Sequence, residues 1–267
     1  MPMQSVNGVR LHYEEHGSGG PILCIHGAGS SAIAWADAAK ELARLGRVIT
    51  YDRRGCARSE RPVSYERTSV AEQTDDAATL LDALAATPAV VIGRSYGGTM
   101  AVDLAIRYPE LVRALVLLEP DASRELAPAA VAWVEPVTRR LRKVATNLGV
   151  DAVAEALITE VAGEDAWASF PDEVRRTLSG NGPAILAELE GEWWLDADTA
   201  AIAAIEQPTL VVMAADSPPE FHQAPEALAK TIPHARLSQV GGGHIIDPAA
   251  PEVIGFVRQI VTDSLAA

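Results

Sequence analysis

Short runs of consecutive apolar residues, separated by segments with helical spacing, set the tightest limit on how this chain folds. The runs are Ile22-Leu23-Cys24-Ile25, Val48-Ile49-Thr50-Tyr51, Ala89-Val90-Val91-Ile92, Ala114-Leu115-Val116-Leu117-Leu118 and Thr209-Leu210-Val211-Val212-Met213. Strands without polar alternation are buried on both faces, as in a parallel sheet covered by helices. The intervening segments supply those helices. One runs to about Leu45, one covers 68–86, with Val70, Ala77, Leu80, Leu81 and Leu84 on a stripe, and one runs from Gly97 to Tyr108. A helix near 224–230, a strand near 235–240 and a helix near 252–265 complete the pattern. Asn7-Gly8 before Val9-Arg10-Leu11-His12-Tyr13 predicts an amino-terminal hairpin. Between 121 and 207 the alternation stops. That stretch shows only helical periodicity, broken by Gly163, Pro171, Gly180-Asn181-Gly182-Pro183 and Gly191. The pattern predicts one α/β core from residues 1–120 and 208–267, interrupted by an all-helical insert at 121–207.

Charge narrows the possible partners. The 267 residues carry a net charge of −14 and a pI near 4.8. Such a surface repels phosphate backbones and anionic lipid, which argues against nucleic-acid and membrane-surface roles. No apolar run approaches the ~20 residues of a membrane span. The start, Met1-Pro2-Met3-Gln4-Ser5, lacks the regions of a signal peptide. Cys24 and Cys56 are too few for a disulfide framework or a cysteine zinc site. The expectation is a soluble cytoplasmic protein that acts on a small molecule without metal or cofactor.

The strongest local signal is Gly93-Arg94-Ser95-Tyr96-Gly97-Gly98, between a buried strand and a helix. A Gly-x-Ser-x-Gly turn in that setting is a nucleophile elbow. The turn is tight, so its flanks must be small, and the helix that follows aims its positive end at the reacting centre. A serine nucleophile needs a base. His244, after the last strand in Gly241-Gly242-Gly243-His244, can be carried over the sheet by its glycine-rich loop. His12, His16, His222 and His234 read as surface histidines, and His26 as a loop brace. His26-Gly27-Ala28-Gly29 ends an earlier strand. The N–H of Ala28 (or Gly27) and that of Tyr96 could form an oxyanion hole.

These pieces, with Tyr51-Asp52-Arg53-Arg54-Gly55, resemble the α/β-hydrolase superfamily over essentially the whole chain. The chain departs from that family at Gly55-Cys56-Ala57-Arg58-Ser59, where Gly-x-Gly-x-Ser is usual; we read this turn as structural. The resemblance implies an α/β-hydrolase fold, a mostly parallel sheet covered by helices, with the helical insert as a cap over the active site. It also implies a triad of Ser95, an acid and His244. Two acids compete. Asp216, in Ala214-Ala215-Asp216-Ser217-Pro218-Pro219, lies near the commonest family position, but the family glycine is missing. Glu119, in Leu118-Glu119-Pro120, matches capped relatives, including lactonases, that take the acid from that strand end. Motif fit favours Glu119, with Asp216 as the alternative.

A dinucleotide site is the main competitor. Gly27-Ala28-Gly29-Ser30-Ser31-Ala32 fits Gly-x-Gly-x-x-Ala, and Asp52 ends the next strand. That reading leaves His26, Ser95 and His244 without a role. Trp133, Trp167, Trp193 and Trp194 all fall in the insert, which suits a bulky apolar substrate, and Trp35 is expected on the pocket floor. Trp193 and Trp194 are adjacent. On a helix they diverge by ~100°, so at most one faces the pocket. Arg139-Arg140-Leu141-Arg142-Lys143 reads as a solvated helix face. The expected function is ester or lactone hydrolysis through an acyl-enzyme. The same triad would also serve a cofactor-free perhydrolase of the haloperoxidase kind or a C–C bond hydrolase. A small-molecule receptor with little turnover is the reading from a different class. A serine at position 95 argues against chemistry that needs a carboxylate nucleophile there.

Overall fold

The computed structural model describes residues 2–266. The apolar runs form the inner strands of an eight-stranded sheet. In chain order these are β1 (Met3–Val6), β2 (Val9–His16), β3 (Pro21–Ile25), β4 (Arg47–Tyr51), β5 (Ala89–Arg94), β6 (Val112–Leu118), β7 (Thr209–Ala214) and β8 (Ala235–Val240). Their spatial order is β1-β2-β4-β3-β5-β6-β7-β8. The hairpin β1–β2 pairs antiparallel with itself and with β4, and every other neighbour is parallel.

Each inner strand serves two cores at once. Successive side chains point to opposite faces, so Leu23 and Ile25 pack into one layer while Ile22 and Cys24 pack into the other. The first layer is closed by α2 (Val70–Ala83), α3 (Tyr96–Arg107) and α10 (Gln223–Thr231). The second is closed by α1 (Ala36–Leu42) and α11 (Pro251–Ala266). The start of α2 is fixed by Ser69, whose hydroxyl accepts from the Glu72 N–H.

Strands β6 and β7 are direct neighbours, with Leu115 opposite Thr209 and Leu118 opposite Val212. The chain between them therefore leaves and re-enters the sheet at adjacent points. It forms α4 (Pro128–Leu148), α5 (Val153–Ala162), α6 (Glu164–Ser169), α7 (Asp172–Ser179), α8 (Gly182–Glu190) and α9 (Thr199–Ala203). These helices hold a separate apolar cluster around Val137, Leu141, Val153, Leu157, Trp167 and Ile185. Leu141 is buried within the basic run, whereas Arg140 and Arg142 reach outward to Glu160 and Glu190.

Two local expectations are corrected here. Trp193 and Trp194 are not on a helix. They lie in the irregular stretch between α8 and α9, because α8 stops at Gly191 and Asp198 caps α9. His12 is not a surface residue. It is buried on β2, 3.5 Å from the Asp52 carboxylate, and burial pushes its pKa down. Among the described residues no helix is long and apolar enough to cross a membrane.

Candidate active site

The turn after β5 shows why its glycines are needed. A Cβ on Gly93 would lie 2.3 Å from the Gly97 carbonyl oxygen, and one on Gly97 would lie 2.3 Å from the Ile25 carbonyl oxygen. Ser95 takes φ 52° and ψ −125°, a strained backbone for a residue with a side chain. The sheet holds that strain in place, since the Ser95 N–H donates to the Leu118 carbonyl at 2.9 Å. Tyr96 is the first residue of α3, so Ser95 sits at the positive end of that helix. The Tyr96 ring is buried, packed against Trp193 at 4.9 Å with the two rings tilted by 56°.

Glu119 directly follows β6, also with positive φ (43°), and its N–H donates to the Val212 carbonyl at 2.8 Å. Its buried carboxylate is fully engaged. Oε1 accepts from the Ala214 N–H at 2.8 Å, and Oε2 accepts from the Ser217 hydroxyl and from His244 Nδ1, each at 2.7 Å. A carboxylate can only accept, so His244 carries its proton on Nδ1 and leaves Nε2 as the basic nitrogen. The His244 ring packs against Phe221 at 4.7 Å. Asp216 plays a different part. It is exposed, and its Oδ2 accepts from the Gly242 N–H at 3.2 Å while its own N–H donates to the Gly242 carbonyl at 3.0 Å. It braces the loop that carries His244 and has no hydrogen bond to the ring.

Ser95 and His244 line one cavity of about 280 Å³. Among the described residues no hydrogen bond joins them; such contacts commonly close only around substrate. Gly27 and Ala28 lie on the same wall, and a Cβ on Gly27 would come 3.3 Å from Ser95 Cβ. His26 is buried behind them. Its Nε2 accepts from the Arg53 N–H at 3.0 Å, so its proton is on Nδ1, which donates to the Gly27 carbonyl at 2.9 Å. Burial holds its pKa well below the usual imidazole value, and the ring is neutral. His222, expected on the surface, is half-buried and donates from Nε2 to the Ala214 carbonyl at 2.9 Å. The dinucleotide reading fails on geometry. The Asp52 carboxylate is buried and already accepts from the Ala32 N–H at 2.7 Å and Arg58 Nε at 2.8 Å.

The tryptophans divide. Trp133 and Trp193 line the cavity, whose walls are otherwise mostly aliphatic and aromatic side chains of the helical segment. Trp35, Trp167 and Trp194 do not. Trp35 is fully buried on the far face of the sheet, because the 3₁₀ turn at Ala32–Trp35 rolls its ring inward beneath Arg94. Trp167 packs inside the helical cluster, edge-on to Phe170. Trp194 turns the other way from Trp193 and lies under Arg124. Sequence reading missed Asp121, which also faces the cavity. Its Oδ2 accepts from Trp193 Nε1 at 3.1 Å. Desolvation pushes the Asp121 carboxyl above its usual range, against the pull of His244 and the indole N–H. The available signal was a second carboxylate two residues beyond Glu119, just past a strand end.

An elbow serine, a carboxylate-held histidine and a glycine-rich loop thus meet around one cavity. The alpha/beta hydrolase fold family matches residues 20–246, and the chain belongs to that family. YraK of Bacillus subtilis (strain 168), an uncharacterized hydrolase, is 41% identical over 163 residues, which is 58% of this chain and 60% of its own length. The 2-hydroxymuconate semialdehyde hydrolase of Pseudomonas sp. (strain CF600) is 42% identical over 116 residues, 42% of this chain and 40% of its own. The chain thus matches about half the length of these two relatives. Among solved structures, a thermophilic esterase from Thermogutta terrifontis superposes with a TM-score of 0.75 at 26% identity, covering 99% of this chain and 96% of that one.

Proposed function

We propose that this α/β hydrolase cleaves a carboxylic ester or lactone of a bulky, largely apolar small molecule through an acyl-enzyme. The observation that carries the reading is the His244 ring fixed by Glu119 at 2.7 Å on the wall of the cavity that Ser95 shares. Ser95 Oγ attacks the carbonyl as His244 Nε2 takes its proton. The same nitrogen returns the proton to the departing alkoxide, then activates water to release the acid. Glu119 keeps the tautomer and stabilises the imidazolium that forms. The N–H groups of Ala28 and Tyr96 receive the oxyanion, aided by the α3 helix end. The helical segment acts as the cap and supplies the apolar walls.

One spot in the cavity is polar. With Oδ2 held by Trp193, the second oxygen of Asp121 favours a substrate that carries an O–H or N–H group beside its apolar bulk. The relative named 2-hydroxymuconate semialdehyde hydrolase motivates a second reading, hydrolysis of a C–C bond on the same triad. A panel of p-nitrophenyl esters, lactones and a vinylogous diketone separates the two. In either case Ser95→Ala should lower kcat by about 10⁴–10⁶, with melting nearly unchanged, and abolish labelling by a fluorophosphonate. Wild-type turnover in that variant refutes the mechanism.

A further inference from the structure

Arg53 and Glu188 form a fully buried ion pair that the hydrolytic steps do not use. Arg53 follows β4, and Glu188 lies on α8 of the helical segment; Arg53 Nη1 donates to Glu188 Oε1 at 2.7 Å. The same guanidinium donates from Nη2 to the Gly27 carbonyl at 3.0 Å, contacts Gln73 on α2, and lies over the Tyr96 ring at 4.9 Å. One side chain thus touches the helical segment, the loop beside Ser95 and the residue after Ser95.

We infer that Arg53 is a positioning residue: held by Glu188, it pins the Gly27 carbonyl so that the Ala28 N–H faces Ser95, which makes helix α8 the element that sets the oxyanion hole. The inference rests on the serine-hydrolase reading and on the geometry of one peptide unit. The Gly27 C=O and the Ala28 N–H belong to the same planar trans peptide and point in opposite directions. The carbonyl accepts from His26 Nδ1 at 2.9 Å, from Arg53 Nη2 at 3.0 Å and from the Ser30 N–H at 3.3 Å. With the oxygen fixed behind the loop, the N–H is directed to the front. Among the described residues the Ala28 N–H has no acceptor of its own, and Ala28 lines the cavity.

Helix α8 backs the loop along its length. Before its first turn, Asn181 Nδ2 donates to the Ser30 carbonyl at 2.8 Å, and its Oδ1 accepts from the Ala57 N–H at 2.7 Å. At its middle, Ile185 Cδ1 lies 3.0 Å from where a Cβ on Gly29 would be. Near its end, Glu188 holds Arg53. A buried guanidinium needs that carboxylate, and it serves Glu188 and the Gly27 carbonyl from two separate nitrogens, a spread that a single ammonium nitrogen lacks. A lysine would still neutralise Glu188 but would lose the second contact.

The test uses Arg53→Lys and, as a charge-free pair, Arg53→Met/Glu188→Met. Phenylboronic acid is the probe. Ser95 Oγ bonds to boron as its O–H bond breaks and the proton passes to His244; boron keeps all three of its own bonds, and the tetrahedral boronate places one oxygen in the hole. Benzyl alcohol serves as a cavity ligand that forms no adduct. For Arg53→Lys we expect kcat on p-nitrophenyl acetate and boronate affinity each to fall about 10–100-fold, a fraction of what losing an oxyanion donor costs. KM and benzyl alcohol affinity should stay within about threefold. Wild-type kcat and boronate affinity in Arg53→Lys overturn the inference, as does an equal loss for both ligands, since a pair that only glues the helices together predicts one or the other. If Arg53→Lys does not fold, the double variant carries the same expectations. In wild type, the Ala28 amide proton should move downfield on boronate addition, and an unmoved resonance also refutes the assignment. Boronate binding needs no turnover. If no ester or lactone reacts, the ester reading fails and the clamp is still decided.

Discussion

Replacing Glu119 by Gln tests the triad acid, and the structure dictates which way the new amide must face. Oε1 sits opposite the Ala214 N–H at 2.8 Å, a backbone donor that cannot rotate away. The amide oxygen must occupy that place, because the opposite flip would bury two donors face to face at a cost of about 1–3 kcal/mol. The NH₂ then takes the position of Oε2, between the Ser217 hydroxyl and His244 Nδ1. Ser217 can turn its hydroxyl to accept. Nδ1 can accept only by losing its proton, which moves to Nε2, and Ser95 then meets an N–H where it needs a base. Loss of a triad acid with geometry otherwise intact costs about 10⁴ in kcat. We expect about 10³–10⁴ here, or roughly 4–5.5 kcal/mol of barrier. Asp216→Asn, which disturbs only the exposed brace to Gly242, should cost less than about tenfold. The assay is kcat on p-nitrophenyl butyrate at saturation, with Ser95→Ala as baseline and melting curves to confirm that each variant is folded. Near-normal turnover in Glu119→Gln beside a severe loss in Asp216→Asn would refute the reasoning and give the acid to Asp216.

Three other outcomes follow from packing and burial. Trp133→Ala should raise KM for bulky esters several-fold more than for acetates because its ring lines the cavity, whereas Trp167→Ala should lower stability by about 3–5 kcal/mol without size discrimination; matched kinetics and urea melts decide. Asp121→Asn should raise the melting temperature at neutral pH. Its folded-state pKa is raised, so ionisation penalises the folded protein only above the unfolded value, and the gain should shrink as pH falls toward about 4; a gain independent of pH contradicts the burial argument. Gly97→Ala should destabilise by about 3 kcal/mol or more, since the new Cβ meets the Ile25 carbonyl at 2.3 Å and neither partner is a flexible side chain; a normal denaturant midpoint would show that the elbow can relax.

The sheet was legible because each inner strand is a continuous apolar run, and a doubly buried strand has no other good sequence signature. Ser95, His244 and Glu119 stood out because each closes or follows a strand within a short motif, and the structure brings all three to one end of the sheet. The helical segment was legible as helix but not as surface. Which tryptophan faces the cavity depends on how six helices pack, and that packing has no local code. Trp193 and Trp194 part company only because Gly191 ends α8 first. Trp35 was misplaced because a 3₁₀ turn, with fewer residues per turn than an α-helix, sends the ring to the other face of the sheet. The Arg53–Glu188 pair joins residues 135 positions apart, so no spacing argument could connect them.

Ser95 and Glu119, both with positive φ, are each tied to the next strand by one backbone hydrogen bond, Ser95 to Leu118 and Glu119 to Val212. The proposed nucleophile and acid are therefore spaced by the sheet and not by the helices above it. In evolutionary terms, chemistry and substrate choice become separable traits. Substitutions, or even changes of length, in α4 to α7 can reshape the cavity while the triad keeps its spacing. Helix α8 is the exception, because through Asn181 and Glu188 it reaches the loop beside Ser95. Related chains should accordingly vary freely over the first four helices of the segment and be held to a narrow range of residues along the fifth.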